Sequence, residues 1–308
     1  MTTTSTKPKK TKKKEQQPLQ TWGEIYKYTW EHCWKRQSSM QDTKHRIEKV
    51  TSFLGDSFPL SQLAKGHVWV ELQKDLLEDY NLSNSRVNKI VSVASHAMRY
   101  TYKLDLHSYK RPFYELLDAD ECRQSWFTKE QVAQLCLIAV EIYSNQDLAD
   151  AMNVSAYTGI RQGELLKLRV ADVDLENNVI WIGGRPETKP KGKKSRPVPM
   201  AYKIKFIFEK RCHTNLGEPY KNGNRKLVFG DNFLNKGQLF KQFKKCRKQL
   251  GLDSSYVWHS FRHSFCTWSG AVDHPKNIQA IVGHSHIDTT MKYCKAFNEA
   301  LHGCVAKL

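Results

Sequence analysis

From Thr21 onward, apolar residues recur at three- and four-residue steps through most of this 308-residue chain, and that spacing commits it largely to helices. Trp22, Ile25, Tyr26, Trp30 and Trp34 share one helical face behind Thr21, a candidate cap. Further helices are expected over about 43–54, ending near Gly55, and over 60–80, with Leu63, Val68, Leu72 and Leu76 among the apolar positions. Another starts at Ser83 or Asn84 and runs through Val87, Ile90, Val91, Ala94, Met98 and Tyr102. These helices make a small all-α domain, assigned to residues 20–104, with the tryptophans in its core. Residues 105–126 are polar, lack clear periodicity and read as a linker.

A second domain, 127–308, begins with a capping-box-like Thr128-Lys129-Glu130-Gln131. It carries expected helices at 147–157, from Ile160 through Arg169, at 201–213 and at 236–250. Between them lies the one β region. V-I-W-I at 179–182 reads as a strand, Gly183-Gly184 and a P-K-G-K sequence as turns, and R-P-V-P at 196–199 as an edge strand. The closing stretch reads as helical segments broken at Gly270 and Gly283. The expected fold class is mainly α: an N-terminal all-α domain, then a mixed α+β domain with a small antiparallel β-sheet.

Lys plus Arg number 49 against 31 acids, a formal charge of +18. Such an excess suits a polyanion, with nucleic acid the first candidate. Residues 1–19 hold Lys7, Lys9, Lys10, Lys12, Lys13 and Lys14, and are expected to be a basic disordered tail. Lys35, Arg36, Arg86 and Lys89, set among the apolar positions of the helical domain, are candidates for contact with a DNA backbone. No apolar run approaches the length of a membrane span, and no apolar segment near the N-terminus suggests a signal peptide, so a membrane partner is not expected. The eight cysteines are scattered without a C-x-x-C pair and read as reduced thiols, neither a disulfide framework nor a zinc site.

The chemistry concentrates at the end of the chain. W-H-S-F-R-H at 258–263 places His259 and Arg262 three residues apart, on one helical face. G-H-S-H follows at 283–286, and Tyr293 after it. A phosphodiester gains charge in a five-coordinate transition state, and two arginines from distant parts of the chain, Arg161 and Arg262, can hold its non-bridging oxygens. A preorganised donor of this kind is worth roughly 3 kcal/mol or more. Free tyrosine has a pKa of about 10, so Tyr293 as a nucleophile needs a base or cationic surroundings.

T-G-I-R-Q-G-E-L at 158–165 resembles the first signature of the tyrosine recombinase (phage integrase) family. H-S-F-R-H at 259–263 resembles the second and G-H-S the third, and Tyr293 falls at the position of the nucleophile. Each motif alone is weak; their order and spacing make the pattern specific. Phe261 and Val282 stand where leucine is common, both apolar exchanges. The resemblance covers about 127–300, and the helical domain only as the place where the family carries its core-binding domain.

It implies His259 as proton acceptor, His284 as a hydrogen-bond partner of the phosphate or the transition state, and a hairpin lysine as general acid to the leaving 5′-hydroxyl. Lys189 matches that lysine best, with Lys191 the alternative, while Lys193 and Lys194 would meet phosphates or solvent. Glu164 matches an acidic position that braces the site. His263, His286 and His302 match no position and read as core or surface residues.

The implied activity is site-specific DNA recombination through a 3′-phosphotyrosine, integrating or excising a viral or mobile-element genome. The implied partners are double-stranded DNA with specific recombination sites, further copies of the chain in a homotetramer on two sites, and accessory DNA-bending proteins. The setting would be the host cytosol or nucleoid. Neither metal nor other cofactor is called for, and no P-loop suggests ATP. A Xer-like dimer resolvase and a type IB topoisomerase share this chemistry; a DNA-binding protein that has lost catalysis is the reading from another class.

Overall fold

Thr21 closes the capping box at the first helix. Its hydroxyl accepts from the Glu24 N–H at 3.3 Å, and the Glu24 carboxylate accepts from the Thr21 N–H at 3.0 Å. The structure, a computed structural model, describes residues 17–118, 125–185, 195–213, 226–229, 235–291 and 293. They fall into two units, Met1–Cys122 and Arg123–Leu308.

In the first unit α1 (Trp22–His32) is followed by a 3-10 turn (Trp34–Arg36), α2 (Met40–Leu54), α3 (Leu60–Leu63), α4 (Gly66–Glu78) and α5 (Asn84–Lys103). Trp22, Trp34 and Trp69 are buried. Two indole N–H groups are satisfied inside: Trp22 Nε1 donates to Thr51 Oγ1 at 2.9 Å, Trp69 Nε1 to the Leu63 carbonyl at 2.7 Å. The helix expected over 60–80 is broken between Leu63 and Gly66, where Trp69 takes up a carbonyl at the end of α3. Residues 107–118 carry neither helix nor strand, and they lie along this unit. Asn88 binds both the Leu117 carbonyl and its N–H, at 2.7 and 3.0 Å, and Gln73 donates to the Glu115 carbonyl at 2.8 Å.

The second unit opens with α6 (Lys129–Leu137), capped reciprocally by Thr128 and Gln131, which runs into a π-helical turn (Ile138–Ile142). Then α7 (Gln146–Thr158) is buried along most of its length and forms the centre of the unit. It ends at Gly159, whose φ of 63° lies in the left-handed region. The helix expected through Arg169 is only one turn, α8 (Gln162–Leu165). The chain beyond it pairs instead with residues 226–228: the Leu168 carbonyl accepts from Val228 N–H and the Lys226 carbonyl from Val170 N–H, both at 2.9 Å. Such long-range bonds override local helical pattern.

Three strands follow, β1 (Val173–Asp174), β2 (Val179–Ile182) and β3 (Arg196–Pro199), antiparallel in the order β1-β2-β3. Ile180 stands opposite Val173 and Val198, and all three are buried. Pro197 and Pro199 point outward on an edge strand, where a missing N–H is tolerated. The remaining helices are α9 (Tyr202–Cys212), α10 (Lys236–Gln249), α11 (Ser260–Gly270), α12 (Pro275–Val282) and α13 (Ile287–Met291).

Two contacts seat α11. Phe261 enters an aromatic cluster with Phe127, Phe243 and Trp258 at centroid distances of 4.6, 5.5 and 5.2 Å. Ser264 Oγ accepts the Phe127 N–H at 2.8 Å and donates to the Ser260 carbonyl.

Gly159 tests this packing. A Cβ there would fall 2.7 Å from Phe265 Cδ1, on a backbone that L-residues avoid. Gly159→Ala is expected to destabilise the protein by about 2 kcal/mol or more, read as a lower urea midpoint at unchanged slope; an unaltered midpoint would show that the turn relaxes freely.

Candidate active site

The left-handed turn at Gly159 ends α7 and turns its carbonyl toward α11. Arg262, one turn into α11, is buried, and its Nη1 donates to that carbonyl at 2.8 Å. Its Nη2 is buried without a hydrogen-bond partner. Burial first, and the nearby Arg161 charge second, push the guanidinium down to about 10. A buried cation with an unused donor beside a second cation is a site for an anion.

Arg161 is reached two residues after the same turn, as the N-cap of α8. It is the more exposed of the two arginines. Nη2 donates to the Gly283 carbonyl at 3.0 Å and Nη1 to Glu164 Oε1 at 3.1 Å. Gly283 ends α12 in the left-handed region, φ 70°, so two such turns deliver carbonyls to two arginines.

Glu164 is the hub on this side. Arg196 donates to both its oxygens, at 3.1 and 2.8 Å, and the Arg161 N–H donates to it at 2.8 Å. Burial raises its pKa, but the Arg196 hydrogen bonds, the backbone bond and the two guanidinium charges outweigh that and hold the carboxyl below its ordinary value. Arg196 also donates from Nε to the Ile281 carbonyl at 2.8 Å, and a Cβ at Gly283 would meet that nitrogen at 3.1 Å. It joins β3, the first signature and the end of α12. The sequence reading did not select Arg196. Its signal was the strand period, since Arg196 and Val198 share a face and Val198 is buried.

His259, the N-cap of α11, sits at the rim; burial by its neighbours, then Arg262 and Arg161, lower its pKa. His284 follows Gly283. Its Nδ1 is 2.8 Å from Thr290 Oγ1, and its carbonyl accepts from Gln279 Nε2 at 3.1 Å. Burial and then the Arg262 and Arg161 charges push it down to about 4. Tyr293 lies in the turn after α13, its ring 6.4 Å from that of His284 at 12°. Its hydroxyl is hydrogen-bonded to His263 Nδ1. His263, read from the sequence as a core or surface residue, therefore belongs to this cluster. It stands one helical turn from His259, the two rings edge-to-face at 4.7 Å, and that i,i+4 spacing was the available signal.

Arg161, Glu164, His259, Arg262, His284 and Tyr293 thus converge in the second unit. Lys189, Lys191, Lys193 and Lys194 lie outside the described residues, as do most of the basic tail and the chain after Tyr293. In the first unit, Arg86 and Lys89 line a cleft of about 300 Å3 with His45, Arg46 and Lys49, beside Asp42. Lys35 pairs with Glu31, and Arg36 is exposed; neither lines that cleft. Among the described residues no three His, Cys, Asp or Glu side chains are grouped to hold a metal ion, and no helix is long and apolar enough to cross a membrane.

The phage integrase family model matches residues 125–299, more than half of the chain. The chain belongs to the phage integrase family. Among curated relatives, it is 30% identical over 140 residues to the tyrosine recombinase XerC of Chlamydia caviae, across 44% of this chain and 43% of that protein. It is 30% identical over 156 residues to XerA of Pyrococcus horikoshii, covering 48% and 50%. The transposase from transposon Tn916 of Enterococcus faecalis is 29% identical over 204 residues, 58% of this chain and 49% of that one. The chain spans about half the length of the curated relatives it matches. In fold it is similar to the Tn1549 transposon integrase solved with a circular intermediate DNA, with a TM-score of 0.74 at 23% identity over 94% of this chain and all of that one. It is also similar to lambda integrase, solved as a tetramer bound to a Holliday junction, with a TM-score of 0.65 at 16% identity over 89% and 77%.

Arg196→Ala leaves Glu164 with one guanidinium and the Ile281 carbonyl without this donor, at an expected cost of about 1–3 kcal/mol in urea unfolding. Arg196→Lys should not restore it, because an ammonium cannot present three directed donors in one plane; full recovery by lysine would show that charge alone suffices.

The histidines make stability pH-dependent. Their folded pKa values lie below the ordinary 6.5, so the unfolded chain binds more protons as pH falls, and stability present above pH 6.5 is lost on acidification toward about 4. The melting temperature should fall between pH 6.5 and 4.5, and less in a His263→Asn, His284→Asn double variant; parallel profiles would remove these two histidines as the cause.

Proposed function

We propose that this protein is a site-specific DNA strand transferase, a tyrosine recombinase that cuts and rejoins DNA through a 3′-phosphotyrosine. The observation that carries the reading is the meeting of two guanidiniums, one buried with an unused donor, and a tyrosine hydroxyl in one cluster. Arg161 and Arg262 hold the non-bridging oxygens of the scissile phosphate. Charge develops on those oxygens in the transition state, where preorganised donors act most strongly. Tyr293 attacks phosphorus and its phenolic proton leaves to His259. The histidines rest neutral, which suits a proton acceptor, and an arriving phosphate anion raises their basicity by Coulomb attraction. His284 hydrogen-bonds the phosphate.

The leaving 5′-oxygen takes its proton from Lys189, with Lys191 as the alternative donor. The 5′-hydroxyl of a partner duplex then attacks the phosphotyrosine and restores the phosphodiester. Because the bond energy is kept in the phosphotyrosine, ATP is not consumed. The arginines and the lysine supply the positive charge that a metal ion would otherwise bring.

Duplex DNA with specific sites is the substrate, and the helical unit is the core-binding module. The cleft of His45, Arg46, Lys49, Arg86 and Lys89 and the +18 charge support contact with DNA phosphates. Two rounds of exchange between two sites call for a homotetramer, with accessory DNA-bending proteins aligning the sites in the host cytosol or nucleoid. Similarity to the transposase of Tn916 supports integration and excision of a mobile element.

The test begins with DNA from the source genome. Covalent protein–DNA adducts are trapped with SDS and sequenced to map the cleaved site, and a nicked duplex carrying that site serves as suicide substrate. Tyr293→Phe should lose the adduct by more than about a thousandfold while binding DNA nearly as well; a persisting adduct means another nucleophile. Lys189→Ala should be slow on the ordinary duplex and restored by a 5′-bridging phosphorothiolate, whose sulfur leaves without a proton. Restoration of Lys191→Ala instead moves the acid to Lys191.

A further inference from the structure

We propose that His263 is the positioning residue for the nucleophile: its Nδ1 holds the Tyr293 hydroxyl in place beside the phosphate-binding guanidinium of Arg262. The inference rests on Tyr293 being the nucleophile.

Tyr293 follows α13, a helix of only five residues, and its own N–H bonds the Thr290 carbonyl at 3.0 Å. A phenol tip is the part of a tyrosine farthest from the backbone, so a small rotation at Cβ displaces it most. In-line attack needs that oxygen within about 3–3.5 Å of phosphorus. Contacts at the base of the ring do not supply that precision, although Tyr293 does pack against the small apolar floor of Cys266, Ile278 and Val282. The hydrogen bond to His263 acts at the tip itself.

The other end of that bond is firmly seated. His263 stands on α11, next in sequence to Arg262, whose Nη1 is fixed to the Gly159 carbonyl. The ring of His263 is held edge-to-face against His259 at 4.7 Å and lies 5.4 Å from the Tyr293 ring. Phosphate and nucleophile are then both referred to one turn of one helix, and their separation follows from helix geometry. Facing His263 are His259 and Arg262 from α11, His284 from the end of α12, and Tyr293. Burial, then His259 and Arg262, push His263 down to about 4. It stays neutral, and a neutral imidazole offers one donor and one acceptor nitrogen, either of which can hold a hydroxyl.

The experiment separates the two ring nitrogens. An Asn amide reaches the place of Nδ1, and a Gln amide the place of Nε2. Full-length protein carrying 3-fluorotyrosine at position 293 is examined by fluorine NMR without DNA, as wild type, His263→Asn and His263→Gln. Single-turnover adduct formation is then measured on the nicked duplex. The Asn variant should keep the fluorine resonance and cleave within about threefold of wild type. The Gln variant should move the resonance and lose about tenfold or more in cleavage at unchanged DNA affinity.

Equal cleavage by the Gln variant and wild type overturns the proposal, as does faster cleavage, which would make the bond a restraint. Equal impairment of both variants also overturns it, since that marks a packing role. A measurement that needs neither variant is the nitrogen-15 resonance of His263 Nδ1, which must shift on Tyr293→Phe; no shift overturns the bond. If Tyr293→Phe still forms adduct, the nucleophile reading fails. If it does not, and His263→Gln cleaves normally, only the role of His263 fails.

Discussion

The buried bond from Arg262 to the Gly159 carbonyl is the constraint on which the second unit's site depends. Removing a guanidinium from water is costly unless its donors find acceptors. Here the acceptor exists because α7 ends in a left-handed turn that points a carbonyl at α11. That turn needs glycine, both for its φ and because Phe265 leaves no room for a Cβ. Two residues later the same chain delivers Arg161. One turn therefore fixes one arginine through its carbonyl and the other through its continuation.

The electrostatics follow from that placement. Two guanidiniums, Arg161 and Arg196, hold one carboxylate, Glu164, and the buried Arg262 adds a third positive charge, so the imbalance is positive. The histidines respond by staying neutral, as burial and the arginines disfavour their charged forms. An anion entering such a site gains from the arginines and reverses the pressure on the histidines. Anion binding and imidazole protonation are thereby linked by Coulomb attraction. A site of this kind suits membership in the phage integrase family, whose model spans 125–299.

Much of the fold could be read from local rules. The caps at Thr21 and Thr128 and the strands at 179–182 and 196–199 stand where turn chemistry and periodicity put them. Arg161, Glu164, His259, Arg262, His284 and Tyr293 could be singled out as candidates because short spacings recur in a specific order. The misses had a common cause. The helix after Ile160 stops at Leu165 because Leu168 and Val170 pair with residues some sixty positions away. The helix over 60–80 breaks where a tryptophan side chain reaches back to a carbonyl. Neither bond leaves a mark in the local pattern.

The sequence by itself determined most of the elements and the candidate groups they carry, because caps, periodicity and motif spacing act over a few residues. Tertiary structure alone decided how those groups are paired. Arg196 joins Glu164 to the Ile281 carbonyl, and His263 meets the Tyr293 hydroxyl, across separations that no local rule spans. His259, Arg262 and His263 occupy one helical turn in the sequence as in the fold. That Arg262 faces a carbonyl of α7 while its neighbour faces Tyr293 is set by how α11 is packed, with Phe261 and Ser264 locking its rotation.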